Sequence, residues 1–143
     1  MFQDRKVFHL SHIDLDGYSC QLLSSYIFKD TSYYNSNYGR EILSRIDEIF
    51  DEIDDLPKDR KIFILITDLN LSDEQAEYLE DRIDEDEHNI HIQLLDHHIT
   101  GESVSKNFSW YYLYDGKSAT QITYEYLKKN GYAFLPEKIT IPI

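Results

Sequence analysis

The run KIFILIT (residues 61–67) contains five consecutive apolar residues between Lys61 and Thr67, and Asp68 follows it directly. An apolar run of this length is typical of a strand that is buried on both faces, as the strands of parallel sheets are. Four further segments are predicted strands: KVFHLS (6–11), Thr31–Tyr34, IHIQLL (90–95) and Phe108–Leu113.

Segments with helical spacing of apolar residues separate these strands. In the clearest of them, residues 42–53, apolar side chains occupy one helical face and acidic side chains the other. Two helix starts carry the Ser-x-x-Gln spacing of a capping box, at Ser72 and Ser118. Because strands that alternate with helices pair in parallel, we predict an α/β fold: an open, doubly wound, mostly parallel sheet of about five strands with helices on both faces. The predicted helices are residues 17–27, 42–53, 72–82 and 118–131.

The charge balance restricts the partners of the chain. The 143 residues suit one globular domain, with 14 Lys and Arg against 27 Asp and Glu and a net charge of −13. A protein that covers the phosphates of a long nucleic acid needs a basic surface, so we expect no such partner. A small anionic substrate remains compatible with this charge if metal ions supply positive charge.

The sequence predicts a cytoplasmic protein. Its one cysteine, Cys20, cannot form an intramolecular disulfide, and we expect it to be a small buried helix residue. No apolar run approaches the roughly 20 residues of a membrane span. Residues 1–6 lack the apolar stretch of a signal peptide.

Polar clusters follow three of the predicted strands, and they carry the chemistry. In an open α/β sheet, ligands bind outside the carboxyl ends of the strands, so parallel strands would bring the clusters to one edge. Carboxylates combined with imidazoles suit Mn²⁺, and several carboxylates crowded together need cations between them. The clusters are His12, Asp14 and Asp16 after the first strand, Asp68 after KIFILIT, and Asp96, His97 and His98 after IHIQLL.

Each cluster has a simpler interpretation when it is taken alone. The first could be a polar turn before a helix, Asp68 an ordinary strand-end residue, and the histidine pair ordinary surface residues. Together, at matched strand ends, they favour a two-metal centre that holds a phosphate and activates a water molecule. We expect His9 and His91 to be packing residues, the acidic run 84–87 to be a solvated turn, and His88 beside it to be solvated.

The same residues resemble a known family. HIDLDG (12–17), ITDLNLS (66–72) and LDHH (95–98) look like the first three motifs of the DHH phosphoesterase superfamily, in order and at suitable spacing. Three further stretches look most like its nano-RNase branch: YYN (33–35), DHHITG (96–101) and SAT (118–120).

The resemblance implies roles for the clustered residues. Two Mn²⁺ ions, with Mg²⁺ or Co²⁺ as alternatives, would be held by metal ligands, and Asp68 would bridge them. His98 would contact the scissile phosphate, which gives Asp68 and His98 the catalytic roles. Asp96 would orient a histidine or lie close to a metal. The metal-binding set implied in this way is His12, Asp14, Asp16, Asp68, Asp96 and His97.

The resemblance also has two departures. Members of the family carry a fourth motif, with an additional Asp ligand, and a C-terminal domain that binds the nucleotide. No convincing candidate for that Asp follows Gly131, and the tail Pro136–Ile143 has no obvious terminating element. We therefore expect residues 1–143 to be a DHH catalytic domain cut short of both features.

The expected function is hydrolysis of short oligoribonucleotides to nucleoside 5′-monophosphates. Two alternatives are also enzymes, namely a phosphatase for 3′-phosphoadenosine 5′-phosphate and a cyclic-dinucleotide phosphodiesterase. A third is a non-catalytic domain that binds metal or nucleotide. The expected partners are short RNA or small nucleotides, with no membrane, and we allow for a homodimer.

Overall fold

The computed structural model describes residues 2–132, which form one five-stranded parallel sheet with helices on both faces. The predicted α/β fold is therefore confirmed. The strands are β1 (Lys6–His12), β2 (Thr31–Ser36), β3 (Ile62–Thr67), β4 (Ile90–Asp96) and β5 (Tyr111–Leu113). The helices are α1 (Leu15–Ser25), α2 (Glu41–Asp54), α3 (Asp73–Glu85), α4 (Glu102–Ser105) and α5 (Ala119–Lys129), and a 3-10 turn spans Ile99–Gly101.

The strand order β2-β1-β3-β4-β5 explains where the helices lie. The chain moves from β1 to β2 in one direction, and from β2 through β3 and β4 to β5 in the other. Since crossovers between parallel strands are right-handed, α1 covers one face and α2, α3 and α4 cover the other. The fifth helix packs beside α1. The direction of winding changes between β1 and β3, and this is where ligands bind in folds of this kind.

Alternation along β3 divides the apolar core into two clusters. Ile62, Ile64 and Ile66 pack with the buried residues of α2 and α3. Phe63 and Leu65 point to the opposite face, where they pack with residues of α1 and α5. Every residue of β3 is buried, as the continuous apolar run predicts.

Several element boundaries differ from the prediction. The first helix starts at Leu15 because the Asp14 carboxylate accepts a hydrogen bond from the Gly17 backbone nitrogen and caps it. The strand predicted at residues 108–113 is only Tyr111–Leu113, because a turn bond from the Tyr111 nitrogen to the Phe108 carbonyl precedes it. The 3-10 turn and α4 were not expected from the sequence.

The prediction that His88 and the acidic run 84–87 are solvated is wrong in part. The third helix continues through Glu85, and His88 is buried. Its Nδ1 lies 2.7 Å from Oδ1 of Asp86, and its Nε2 lies 3.0 Å from the carbonyl oxygen of Pro57. Burial is tolerated because both ring nitrogens have partners.

At the end of the described residues, α5 stops at Lys129 and Gly131 follows in the left-handed conformation, with φ at +85°. Glycine is favoured there because it has no Cβ, and the predicted helix end is confirmed. The tail 136–143 lies outside the described residues. Among the helices within residues 2–132, none combines the length and the hydropathy that crossing a bilayer requires.

Candidate metal centre

The carboxyl ends of β1, β3 and β4 bring the three predicted clusters together. Their potential ligand atoms form two groups, within each of which all atoms lie within 4.8 Å of one another. Because Asp68 belongs to both groups, it is the central residue of the site. The His12 group consists of His12, Asp14 and Asp68, and the His97 group consists of Asp68, Asp96, His97 and His98.

Asp68 has an unusual backbone and an unusual environment. Its φ of +58° places it in the left-handed region, where Asp is better tolerated than most residues with a side chain. Its side chain is 1% exposed, and its Oδ2 has no hydrogen-bond partner. Burial, and then the neighbouring carboxylates of Asp14, Asp16 and Asp96, raise the pKa of Asp68 to about 9. A strained, buried and charge-crowded carboxylate of this kind is characteristic of functional sites.

The His12 group contains a second buried atom without a partner. His12 Nδ1 lies 3.9 Å from Oδ2 of Asp68 and 2.9 Å from Oδ2 of Asp14, but neither contact has the geometry of a hydrogen bond. A buried polar atom that lacks a partner is costly. A divalent cation bound between the imidazole and the two carboxylates would satisfy both Nδ1 and Oδ2 of Asp68. The residues therefore fit a metal ion.

The His97 group extends the site towards β4. His97 Nε2 lies 3.1 Å from Oδ1 of Asp68 and 3.5 Å from Oδ2 of Asp16. These distances place one imidazole beside two carboxylates from different strand ends. A second cation on this side of Asp68 would have the same mixed nitrogen and oxygen ligands.

Both carboxylate oxygens of Asp96 accept hydrogen bonds from His98. The buried Asp96 accepts a hydrogen bond from Nδ1 of His98 at Oδ1, over 2.7 Å, and one from the His98 backbone nitrogen at Oδ2, over 3.3 Å. Because a carboxylate only accepts, Nδ1 of His98 carries a proton, and Nε2 faces the open side of the site. These two bonds fix the orientation of the His98 ring.

Asp16 has a structural role that the sequence did not indicate. Its two carboxylate oxygens accept hydrogen bonds from the backbone nitrogens of Ala119 and Thr120, each over 2.9 Å. Asp16 therefore holds the N-terminus of α5, where the helix dipole favours a negative charge. It lies beside His97 but belongs to neither ligand group.

Tyr38, on the loop after β2, covers the open side of the site. Its ring stacks on the His12 ring with centroids 4.3 Å apart, and its hydroxyl lies 2.9 Å from Nε2 of His98. Burial, and then the charges of Asp68 and Asp96, raise the pKa of Tyr38 to about 12, so the hydroxyl keeps its proton at neutral pH.

Comparison with known proteins identifies a relative. The chain is 52% identical over 138 residues to a 3′,5′-cyclic-nucleotide phosphodiesterase of Helicobacter pylori (strain ATCC 700392 / 26695), which covers 94% of the chain. Over this stretch the chain is homologous to that protein. A solved structure of an uncharacterised protein from Helicobacter pylori G27 is 51% identical, covers 95% of the chain and superposes with a TM-score of 0.88.

The chain spans less than half of the length of each of these relatives. It corresponds to 39% of the length of the phosphodiesterase and 40% of the solved chain. No protein-family profile matches it, so the DHH resemblance remains an interpretation of its motifs.

Two features of the site are not indicated by the sequence. Tyr38 follows β2, which pairs with β1, and its contacts depend on tertiary packing that no motif in the sequence indicates. The second feature is a buried polar network beneath the site. His9, which the sequence predicts to be a packing residue, is fully buried, with Nδ1 2.7 Å from Oγ of Ser24 and Nε2 2.8 Å from Oγ1 of Thr67.

Burial lowers the pKa of His9 to about 3, so it is neutral at physiological pH. The Thr67 hydroxyl also donates to Ser11, which bonds the carbonyl oxygens of Gly17 and Thr67. This network ties the ends of β1 and β3 together directly beneath the residues that carry the site. It holds the strand ends that position His12 and Asp68.

Gly17 allows α1 to approach β1 closely. A Cβ at this position would clash with the backbone carbonyl oxygen of His12. Only glycine therefore permits the turn that places Asp14, which caps α1, next to His12.

Proposed function

We propose that this chain carries the metal-binding site of a divalent-metal-dependent phosphodiesterase that acts on small nucleotide substrates. The observation that supports the proposal best is that two groups of potential ligand atoms share Asp68. This residue is buried and has a left-handed backbone conformation. The homology to a phosphodiesterase supports the reaction class independently.

We assign two Mn²⁺ ions to the site, with Mg²⁺ or Co²⁺ as alternatives. His12, Asp14 and Asp68 would hold one ion, and Asp68 and His97 would hold the other. Asp16 lies close enough to His97 to join the second set. When bound, such ions supply a positive charge for the phosphate, lower the pKa of a water molecule, and stabilise the attacking and leaving oxygens.

His98 would contact the scissile phosphate. Its Nδ1 is held by the buried Asp96, and its Nε2 points away from that carboxylate. The pairing fixes the ring plane, so the histidine need not lose rotational freedom when the substrate binds. Asp96 would therefore act through His98, while Asp68 supplies the charge that both ions share.

Short oligoribonucleotides are the proposed substrate class, and nucleoside 5′-monophosphates the products. The nano-RNase-like stretches support this choice, as does the net charge of −13, since repulsion grows with each phosphate that approaches. We also propose a cytoplasmic location, since the single cysteine, Cys20, is free and fits a reducing compartment.

A cyclic nucleotide is the second candidate substrate. The relative that is 52% identical bears the name 3′,5′-cyclic-nucleotide phosphodiesterase, which favours this alternative. The linear and cyclic substrates differ in ring strain and in leaving group, while the ligand set that would act on the phosphodiester is the same.

The experiment compares substrates on the full-length protein loaded with Mn²⁺. The panel is an RNA dinucleotide, a 3′,5′-cyclic mononucleotide, a cyclic dinucleotide and 3′-phosphoadenosine 5′-phosphate. We expect the RNA dinucleotide to be hydrolysed with the highest kcat/KM. Preference for the cyclic mononucleotide would move the assignment to the second candidate. Mn²⁺ binding without turnover of any of the four would contradict the enzyme and favour a binding domain.

A further inference from the structure

Each ring nitrogen of His98 already has a neighbour within hydrogen-bond distance. Asp96 holds Nδ1, and the hydroxyl of Tyr38 lies 2.9 Å from Nε2. A phosphate oxygen that reaches Nε2 must therefore arrive beside the Tyr38 hydroxyl. Half of the Tyr38 side chain remains accessible, with a relative exposure of 43%, so the hydroxyl lies at the mouth of the site.

The loop that carries Tyr38 is held by specific contacts. Gln75, at the start of α3, donates from Nε2 to the carbonyl oxygen of Gly39 over 2.8 Å. The side chain and the backbone nitrogen of Asn37 both bond Oε2 of Glu41, in the first turn of α2. With both flanking residues fixed and its ring stacked on His12, Tyr38 is held over the site.

The carboxylates of the site would repel an incoming phosphate, so neutral hydrogen-bond donors would help to bind it. Within residues 2–132, the ion pairs of lysine and arginine all use carboxylates outside the polar clusters. An incoming phosphate would meet Asp14, Asp16, Asp68 and Asp96. Besides metal ions, hydrogen-bond donors such as hydroxyl groups can attract a phosphate to this part of the chain.

We propose that the hydroxyl of Tyr38 is a phosphate-binding group, which donates to an oxygen of the same phosphate that His98 contacts. This inference rests on the proposed function for the identity of the substrate. A tyrosine hydroxyl turns about its C–O bond, so it can direct its hydrogen to a phosphate oxygen without moving the ring. A hydrogen bond to an anion is stronger than one between neutral groups, so this contact favours phosphate binding.

The test compares Tyr38→Phe with Tyr112→Phe in the full-length, Mn²⁺-loaded protein. Tyr112, on β5, is exposed to a similar extent, at 47%, and belongs to neither ligand group. The probes are inorganic phosphate and adenosine 5′-monophosphate, with affinities measured by titration calorimetry. Phenylalanine keeps the stacking on His12 and removes only the hydroxyl. Affinity for Mn²⁺ is measured on each variant first.

We expect Tyr38→Phe to weaken binding of both probes about tenfold, the usual effect of one lost hydrogen bond to a charged group, with Mn²⁺ affinity unchanged. Tyr112→Phe should bind like the wild type. Unchanged or tighter phosphate binding by Tyr38→Phe would overturn the inference, and tighter binding would mean that Tyr38 competes with phosphate. A parallel loss of Mn²⁺ affinity would overturn it as well.

Failure of the proposed function is distinguishable from failure of this inference. If the wild type binds phosphate but hydrolyses no phosphodiester, the enzyme assignment fails, while the phosphate affinities still decide the role of Tyr38. If the wild type hydrolyses the dinucleotide, Tyr38→Phe should raise KM more than it lowers kcat, because the lost contact is made with the bound substrate.

Discussion

Oδ1 of Asp16 accepts a hydrogen bond over 2.9 Å from the backbone nitrogen of Thr120, which lies 104 positions later in the chain. The Thr120 hydroxyl bonds the same oxygen, and the Ala119 nitrogen bonds the other. The start of α5 is therefore attached to a residue in the first turn of α1. This connection links the candidate metal site to a helix that supplies no residue to either ligand group.

Substitution of Asp16 by Ala should loosen the start of α5 even without metal. In EDTA, we expect the amides of Ala119 and Thr120 to exchange with solvent at least about tenfold faster, because each loses a charge-assisted hydrogen bond. Ser118→Ala is the matched control, since the Ser118 hydroxyl accepts from the Gln121 nitrogen instead. Unchanged exchange at Thr120 in Asp16→Ala would contradict the assignment.

Substitution of Asp68 by Asn should stabilise the metal-free protein. Asn tolerates the left-handed backbone and removes a charge that burial and three neighbouring carboxylates oppose. We expect the free energy of unfolding in EDTA at pH 8 to rise by about 1–3 kcal/mol. Urea unfolding of both proteins measures this, and a less stable Asn variant would contradict the charge crowding.

The same substitution should change the pH dependence of stability. The pKa of Asp68 is raised in the folded state, to about 9, so its contribution is fully present below its ordinary pKa and is lost as the pH rises towards 9. The advantage of the Asn variant in EDTA should therefore grow from pH 5 to pH 8. An advantage that is independent of pH would indicate a cause other than charge.

His9 should make the protein sensitive to acid. Its folded pKa is lowered to about 3, so its contribution is fully present above its ordinary pKa of 6.5 and is lost as the pH falls from 6.5 towards 3. At pH 5 the loss should be about 2 kcal/mol. His9→Gln keeps hydrogen-bonding groups but does not titrate.

The stability difference between the wild type and His9→Gln should therefore shrink by that amount between pH 7.5 and pH 5. Urea unfolding at both pH values measures the difference, and the contribution of Asp68 cancels because both proteins contain it. A difference that stays constant would show that His9 is not a buried neutral imidazole.

Gly17→Ala should distort the His12 group by displacing the start of α1. The new methyl group clashes with the His12 carbonyl, so α1 must shift relative to β1, at a cost of about 1–3 kcal/mol. Affinity for Mn²⁺ should fall because His12 and Asp14 both move. Gly131→Ala is the control, since Gly131 has a positive φ but no atom near the added methyl group, and its Mn²⁺ affinity should not change.

The sequence was sufficient to predict the sheet and the edge of it at which the three polar clusters meet. KIFILIT is a buried strand because its apolar run has no polar residue to place in solvent. The polar residues that end β1, β3 and β4 meet because parallel strands have their carboxyl ends at one edge. These features follow from local patterns and from rules that hold for the fold as a whole.

Contacts between distant segments could not be predicted in this way. The stacking of Tyr38 on His12 depends on where the loop after β2 lies, and the bonds of Asp16 depend on the docking of α5. His88 is buried because the carbonyl of Pro57 and the carboxylate of Asp86 satisfy its ring nitrogens, and nothing in the acidic run around it indicates that pairing.

The most direct test of the account is calorimetric titration of Mn²⁺ into the full-length protein, as the wild type, Asp68→Asn and Asp59→Asn. Asp59 is an exposed residue in the turn before β3, and it controls for loss of one surface charge. We predict that the wild type and Asp59→Asn bind two ions, and that Asp68→Asn loses at least one of them together with hydrolysis of an RNA dinucleotide. If the wild type binds no Mn²⁺, or if Asp68→Asn binds both ions with unchanged affinity, Asp68 does not join two metal sites and the account is wrong.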